Sequence, residues 1–496
     1  GLEARGRTGT KASANRIIQI ASKTRRRQNL DAVKKFIYSP TGDNRGRDSL
    51  SHSEVMKAVA YFIQTKPVMQ HILANGYPII LIDESQDTNK HLIDALFALQ
   101  AAHATQFSLG LLGDMMQRIY SDGKEGLGNQ LPADWATPVK QLNHRCPKRI
   151  VRLINKIRDS TDRQNQEPRS DSIEGHARIF ILPADTGDKQ MAERTVVQQM
   201  AAVTGETEWE APDGCKRLIL EHRMAARRMG FLDMFIPLHD IDDFKTGLLD
   251  GTLPITRFFA GYILPLLQRR HDQFAIAKIV RGASPLLADD KLRSADKPEE
   301  LLRQTRDAVA SLLGLWSQKG APTFGAVLRN IASTGLFVIP DALRPSAFRD
   351  EAVVTELDDP EADDADRLTA KAAAIEAFLG TPFAQIEPYS LYVAGTASFD
   401  THQGVKGLEF PRVMVIMDDT EARGFLFKYE KLFGGGAGDD ATSASTRRLF
   451  YVTCSRAERG LALVAYSTEP ERVRQHVLRE GWFTENEIQI GLGAAK

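Results

Sequence analysis

The run Ile79-Ile80-Leu81-Ile82 is apolar at every position and stops abruptly at Asp83-Glu84-Ser85-Gln86-Asp87. A short apolar run without alternation marks a strand of a parallel sheet, where both faces are covered. It predicts a strand over Pro78–Ile82. A second such run, Phe107–Leu112, predicts another, and the stretch Leu92–Ala102 between them has helical spacing. Strand, helix, strand at this spacing commits the chain to an α/β fold. Further strands are expected at Ala177–Leu182, Arg217–Leu220, Val413–Met417 and Leu461–Ala465. From about 240 to 385 the pattern is helical, as an insertion between two halves of an α/β domain. The first 75 residues also read as helical, with an amphipathic run from Ser53 to about Ala74 and a turn-rich break at Ser39–Arg47.

Composition narrows the class. Lys+Arg 64 balances Asp+Glu 64, and 42% hydrophobic with 26% charged residues describes an ordinary folded chain. This excludes a disordered tail, a collagen-like repeat and a strongly basic nucleic-acid sponge, but not a local basic groove. At about 100–200 residues per domain, 496 residues make three or four domains. No stretch approaches the ~18 consecutive apolar residues of a membrane span. Cys146, Cys215 and Cys454 are too scattered for a disulfide framework or a zinc site, which predicts a reducing cytoplasm. His52, His71, His239 and His271 have no metal-ligand spacing. Asp350–Asp366 carries nine acidic residues and reads as a solvated linker. Phe433–Asp440 reads as a flexible glycine-rich loop, not a phosphate loop, because no strand leads into it.

Chemistry concentrates at strand ends. Asp83 and Glu84 follow a strand at its carboxyl end, the edge where open α/β sheets bind ligands. One carboxylate there can hold Mg²⁺, and its neighbour can activate a water. The second strand runs into Gly113-Asp114-Met115-Met116-Gln117-Arg118-Ile119-Tyr120, where Gln117 can sense a phosphate and Tyr120 can stack on a base. In Asn143-His144-Arg145 an arginine directly follows a planar ring.

Together these segments resemble the UvrD/Rep/PcrA branch of superfamily I helicases. Asp83–Asp87 is similar to that family's Walker B box, Gly113–Tyr120 to motif III and Asn143–Arg145 to motif IV. Thr401-His402-Gln403-Gly404-Val405-Lys406-Gly407-Leu408-Glu409-Phe410-Pro411 resembles motif V, and Arg447–Ala457 (RRLFYVTCSRA) motif VI. The resemblance implies two RecA-like α/β domains of the P-loop NTPase type with parallel sheets, and a helical insertion in the second. The first domain would be residues 1–144, the second 145–240 with 385–496, and the insertion 241–384. ATP would bind between the two domains. Asp83 would hold Mg²⁺, Glu84 would activate water and Gln117 would read the γ-phosphate. Arg145 and Arg456 would be arginine fingers. His144, Gly407 and Glu409 would lie at the nucleotide, with Glu409 on its ribose. Thr401 and His402 would lie near the DNA backbone, with Tyr120 stacking on a base. Apart from the resemblance, Arg223, after the strand at Arg217–Leu220, reads either as a contact to DNA phosphates or as part of a solvated basic helix face, and the cluster Lys23, Arg25, Arg26 and Arg27 could extend a DNA-binding surface. The implied activity is ATP-dependent 3′→5′ translocation on single-stranded DNA and opening of duplex junctions, in repair, recombination or phage defence.

The departures from the pattern also carry expectations. His144 stands where the family has a tyrosine on adenine, and Ser121-Asp122-Gly123-Lys124 replaces a tryptophan-bearing stretch. His402 is one residue earlier than the family's motif V histidine, whose place is taken by Gln403. No GxxxxGK[ST] phosphate loop occurs; Gly6–Ser13 has the wrong spacing. Truncation ahead of Gly1 is the expected reason, so that the intact protein hydrolyses ATP and this chain alone does not. The alternative is a non-catalytic DNA-binding or scaffold subunit. A separate nuclease partner, as in Gabija-like systems, suits the compact length by analogy.

Overall fold

The computed structural model describes residues 11–38, 48–129, 131–294, 296–317, 320–348, 362–424, 426–434 and 441–493. The turn-rich break, the glycine-rich loop past Gly434 and most of the acidic segment lie outside these residues. The chain divides into two compact units, Gly1–Pro138 and Val139–Lys496.

The first unit is built on two parallel strands, β1 (Ile79–Ile82) and β2 (Ser108–Leu111), paired from Ile79↔Ser108 to Ile82↔Leu111. The predicted Ser53–Ala74 run is two helices, His52–Thr65 and Pro67–Gly76. Pro67 causes the break, since it cannot continue a helix but fits the first turn of the next. Ser51 caps the first of these helices in a reciprocal box with Glu54, and Asn89 caps the connecting helix Lys90–Ala102 through His91 N–H at 3.0 Å. These helices meet in a core of Ala60, Ile63, Ala74, Ala95, Leu96, Leu99 and Phe107, against which Ile80, Ile82 and Leu109 pack. That core covers one face of the sheet. Side chains alternate along a strand, so Ile79 and Leu81 point the other way and are 66% and 68% exposed. The expected double-sided burial of β1 is therefore met on one face only.

The second unit begins with a small parallel pair, β3 (Leu142–Asn143) and β4 (Glu167–Pro168). Its main sheet comprises β5 (His176–Pro183), β6 (Lys216–Ile219), β7 (Phe399–Thr401), β8 (Phe410–Asp418), β9 (Ala457–Ser467) and β10 (Ile488–Ile490). The strands are all parallel and lie in the order β10-β5-β9-β8-β6-β7. Central β8 and β9 are buried over most of their length, as a sheet covered on both faces requires. Helix Lys148–Arg158 covers the sheet with Ile150, Val151, Leu153, Ile154 and Ile157. Between β6 and β7 the chain is helical, from His222–Met229 to Ile386–Val393. This block shares one continuous core with the sheet: Phe180 and Met414 belong to the same cluster as Phe259, Phe324 and Phe378. The Phe324 and Phe378 rings lie 4.4 Å apart, centroid to centroid.

Buried charge reinforces this unit. Arg228 is buried between Glu193 at 2.8 Å and Glu421 at 3.0 Å. Burial opposes the Arg228 charge, but its bonds to these two carboxylates outweigh that and hold the guanidinium above its ordinary value. Asp418, at the end of β8, pairs with Lys189 at 2.5 Å and accepts from the N–H groups of Thr420 and Glu421.

Candidate active site

In the first unit the site forms where β1 and β2 end. Asp83 and Glu84 are exposed in the turn leaving β1. Glu84 takes a left-handed backbone with φ 51°. A non-glycine residue held there stores about 1–3 kcal/mol, which surrounding bonds must sustain. They do: Glu84 N–H donates to Asp83 Oδ1 at 2.8 Å, Asp87 N–H to Glu84 O at 3.0 Å, and Ser85 N–H to Leu112 O at 2.9 Å. Gln86, 1% exposed, donates from Nε2 to Glu84 Oε2 at 2.5 Å and accepts from Asp114 N–H at 3.2 Å. Gln117, beyond β2, donates to Asp114 Oδ2 at 3.3 Å, and Tyr120 N–H donates to Asp87 Oδ1 at 3.1 Å. The Tyr120 ring is well exposed. The two predicted segments are thus one hydrogen-bonded assembly.

The second unit gathers residues that are hundreds of positions apart. Asn143 Oδ1 accepts from the N–H of Arg145 at 3.0 Å and of Cys146 at 2.7 Å, an Asx turn that fixes the chain leaving β3. Arg145 then reaches Glu409 at 2.9 Å and the Ser455 carbonyl at 3.4 Å. Arg456 donates to the carbonyls of Val452 at 2.9 Å and Leu408 at 3.2 Å, and to Ser455 Oγ at 2.8 Å. Gly407, φ 83°, supplies the left-handed turn that brings Leu408 and Glu409 round. Arg145, Gly407, Glu409 and Arg456 therefore share one place at the amino ends of β8 and β9, with His144 exposed beside Arg145.

The two guanidinium groups differ. Arg145 is partly exposed and its carboxylate partner more so, so their pair is weak and exchangeable. Arg456 is 1% exposed and braces the backbone from within. Of the two expected fingers, Arg145 is the accessible one.

Three residues expected near DNA are largely covered in this structure. His402 is 1% exposed, with its ring against Tyr429 OH at 3.1 Å; burial pushes its pKa down to about 3, so it is a neutral core residue. Thr401 is also buried, and its Oγ1 accepts from Gly404 N–H at 3.0 Å to hold the turn. Both lie at the end of β7, packed into the core. Arg223 is largely covered and paired with Asp240. Its neighbour His222 bonds Tyr392 OH at 2.7 Å, and burial lowers that imidazole to about 4. Of the basic cluster, Arg26 is tied to Glu54 at 2.8 Å and to the Ser49 carbonyl at 2.6 Å.

Sequence reading missed Gln86, Asp114 and Ser455. Gln86 and Ser455 are polar positions inside the matched motifs; their only signal was that a buried polar side chain needs partners. Cys146 and Cys454 are buried near the same site. Burial pushes the Cys146 thiol up to about 11 and holds Cys454 well above its ordinary value, which disfavours the reactive thiolate at both. Among the described residues no group of three or more His, Cys, Asp or Glu could cage a metal. Asp83, exposed where β1 ends, is a carboxylate of the kind that Mg²⁺ takes together with phosphate oxygens and water. Among them too, no helix is long and apolar enough to cross a membrane.

Comparison with known proteins agrees with this picture. Residues 7–121 match the UvrD/REP helicase N-terminal domain. The chain is 23% identical over 454 residues to Gabija protein GajB of Bacillus cereus (strain HuB5-5), a match covering 84% of this chain. It spans 62% of the length of that relative. With the parallel α/β units and the convergence of motif residues already described, the chain is similar to the UvrD-type superfamily I helicases, most directly over residues 7–121.

Proposed function

We propose that this chain is the motor part of an ATP-dependent, Mg²⁺-requiring DNA translocase that moves 3′→5′ on single-stranded DNA and opens duplex junctions. The observation that carries this reading is the meeting of Arg145, Glu409, Ser455 and Arg456, from three separate segments, at one edge of the second sheet. Arg145, held there and still accessible, is the kind of guanidinium that phosphoryl transfer uses to offset charge on the transferred group, with Arg456 bracing the backbone beneath it. Glu84 is the base that orients water, Asp83 the Mg²⁺ ligand and Gln117 the phosphate sensor. Tyr120, exposed on the segment bonded to that acidic turn, is the residue for stacking on a base. The free thiols suit a reducing cytoplasm. The likeness to a Gabija protein favours phage defence beside a separate nuclease over repair or recombination.

The phosphate loop that hydrolysis needs is not among these 496 residues. That observation favours a second reading, a DNA-binding scaffold without turnover. ATP hydrolysis by the full natural reading frame, with and without single-stranded DNA, separates the two. The motor reading expects stimulation by DNA that Glu84→Gln abolishes. Absence of turnover, with DNA binding intact, supports the scaffold.

A further inference from the structure

We infer that Gln86 is a positioning residue that ties the carboxylate of Glu84 to the Gly113–Tyr120 segment, so that a displacement of that segment reaches the hydrolytic group. The inference rests on the role proposed for Glu84. A buried primary amide must satisfy both its donor and its acceptor, and Gln86 does so with one partner on each side. Its Nε2 faces the Glu84 carboxylate at 2.5 Å and its Oε1 faces the Asp114 N–H at 3.2 Å. A flipped amide would place an acceptor against the carboxylate and a donor against an N–H, so only one orientation works. The space around it is equally specific. A Cβ on Gly113 would collide with Gln86 Oε1, and one on Gly123 with the Gln86 carbonyl. Glycine at 113 lets the backbone close on this side chain, and glycine at 123 lets it close on the Gln86 backbone.

The linkage continues outward from Asp114. Its Oδ1 accepts from Met116 N–H at 2.9 Å and its Oδ2 from the Gln117 amide at 3.3 Å. Three residues on, Tyr120 N–H is bonded to Asp87, in the same turn as Glu84 and Gln86. The exposed Tyr120 ring and the Glu84 carboxylate are therefore joined through directional bonds, part-buried around Gln86 and Asp114 and exposed at Asp87. A base stacking on Tyr120 and shifting its segment moves the acceptor edge of Gln86, and with it the carboxylate.

Amide exchange on the full chain tests the link without any activity. Gln86→Met fills the same volume but offers Asp114 N–H no comparable acceptor, so that amide should exchange about tenfold faster or more, with helix Lys90–Ala102 unchanged. Unchanged protection at Asp114 overturns the inference. Should Gln86→Met fail to fold, the reciprocal pair Glu84→Gln with Gln86→Glu rebuilds both bonds with donor and acceptor exchanged toward residue 84. Protection like that of the natural chain supports the link, and its loss refutes it. In the reading-frame hydrolysis assay, Gln86→Met should reduce the stimulation by single-stranded DNA about tenfold, with KM for ATP little changed. An unaltered stimulation factor contradicts the regulatory role. If the natural protein shows no hydrolysis, the motor reading fails, while the exchange result still decides whether Gln86 joins the two segments.

Discussion

Leu81 of β1 and Leu463 of β9 are the same side chain on the same kind of parallel strand, yet one is 68% exposed and the other has no exposed surface. β9 lies inside a six-stranded sheet with helices on both faces; β1 belongs to a two-stranded sheet with a core on one face. Apolar sequence makes both runs strands, but neighbours decide how much stability each side chain contributes. The site residues differ in a parallel way. The first unit places its carboxylates where strands end, and the second places its guanidinium groups where strands begin. The second unit can hold buried charge and buried imidazoles because its core surrounds them.

Acid should break this contrast most strongly. Burial lowers His222 and His476 to about 4 and His402 to about 3, from an ordinary 6.5. The unfolded chain binds these protons first, so the stability they confer is present above pH 6.5 and is lost as pH falls toward 4. Each contributes about 1.4 kcal/mol per pH unit at most, so the three together approach ~4 kcal/mol per unit. Urea unfolding between pH 7 and 4.5, followed by the buried Trp209 and Trp482, measures it. A flat pH dependence contradicts neutral burial.

Arg228→Ala comes next. It leaves Glu193 and Glu421 buried without their shared cation and should cost about 3–5 kcal/mol in the second unit. The leucine pair is the direct comparison. Leu463→Ala should cost about 2–5 kcal/mol and Leu81→Ala within about 0.5 kcal/mol, by denaturant midpoint. Equal losses would mean that Leu81 is covered in solution.

Two glycines give the smallest contrast. A Cβ on Gly460 would meet the buried Trp209 ring at 2.8 Å, and one on Gly110 would meet the tip of exposed Leu81 at 2.5 Å. Gly460→Ala should cost about 1–3 kcal/mol, because the tryptophan cannot yield; Gly110→Ala should cost less, because Leu81 can turn away. Thermal melting of the two variants tests the order.

The same comparison explains what sequence could reveal. Strands β1, β8 and β9 are legible from unbroken apolar stretches and β2, β5 and β6 from short, mostly apolar ones, and helix Lys90–Ala102 from its regular spacing. Edge strands β7 and β10, three residues each, carry too little pattern to be seen. Motif strings located Arg145, Glu409 and Arg456, but not that Arg456 is buried under its own backbone bonds while Arg145 remains accessible. The burial of His402 and Thr401 is hidden for the same reason: residue type shows what a side chain can bind, not which way the end of a short strand turns it. Gln86 was invisible because its role exists only where two segments 28 positions apart meet.

The central proposal is that the acidic turn and the guanidinium site both serve ATP hydrolysis. The most direct measurement is the DNA-stimulated ATP turnover of the natural reading frame carrying either Glu84→Gln or Arg145→Ala. Each change alone should lower kcat by about 10³-fold or more, with the fold unaltered by melting. Turnover at the natural rate in either variant would contradict it.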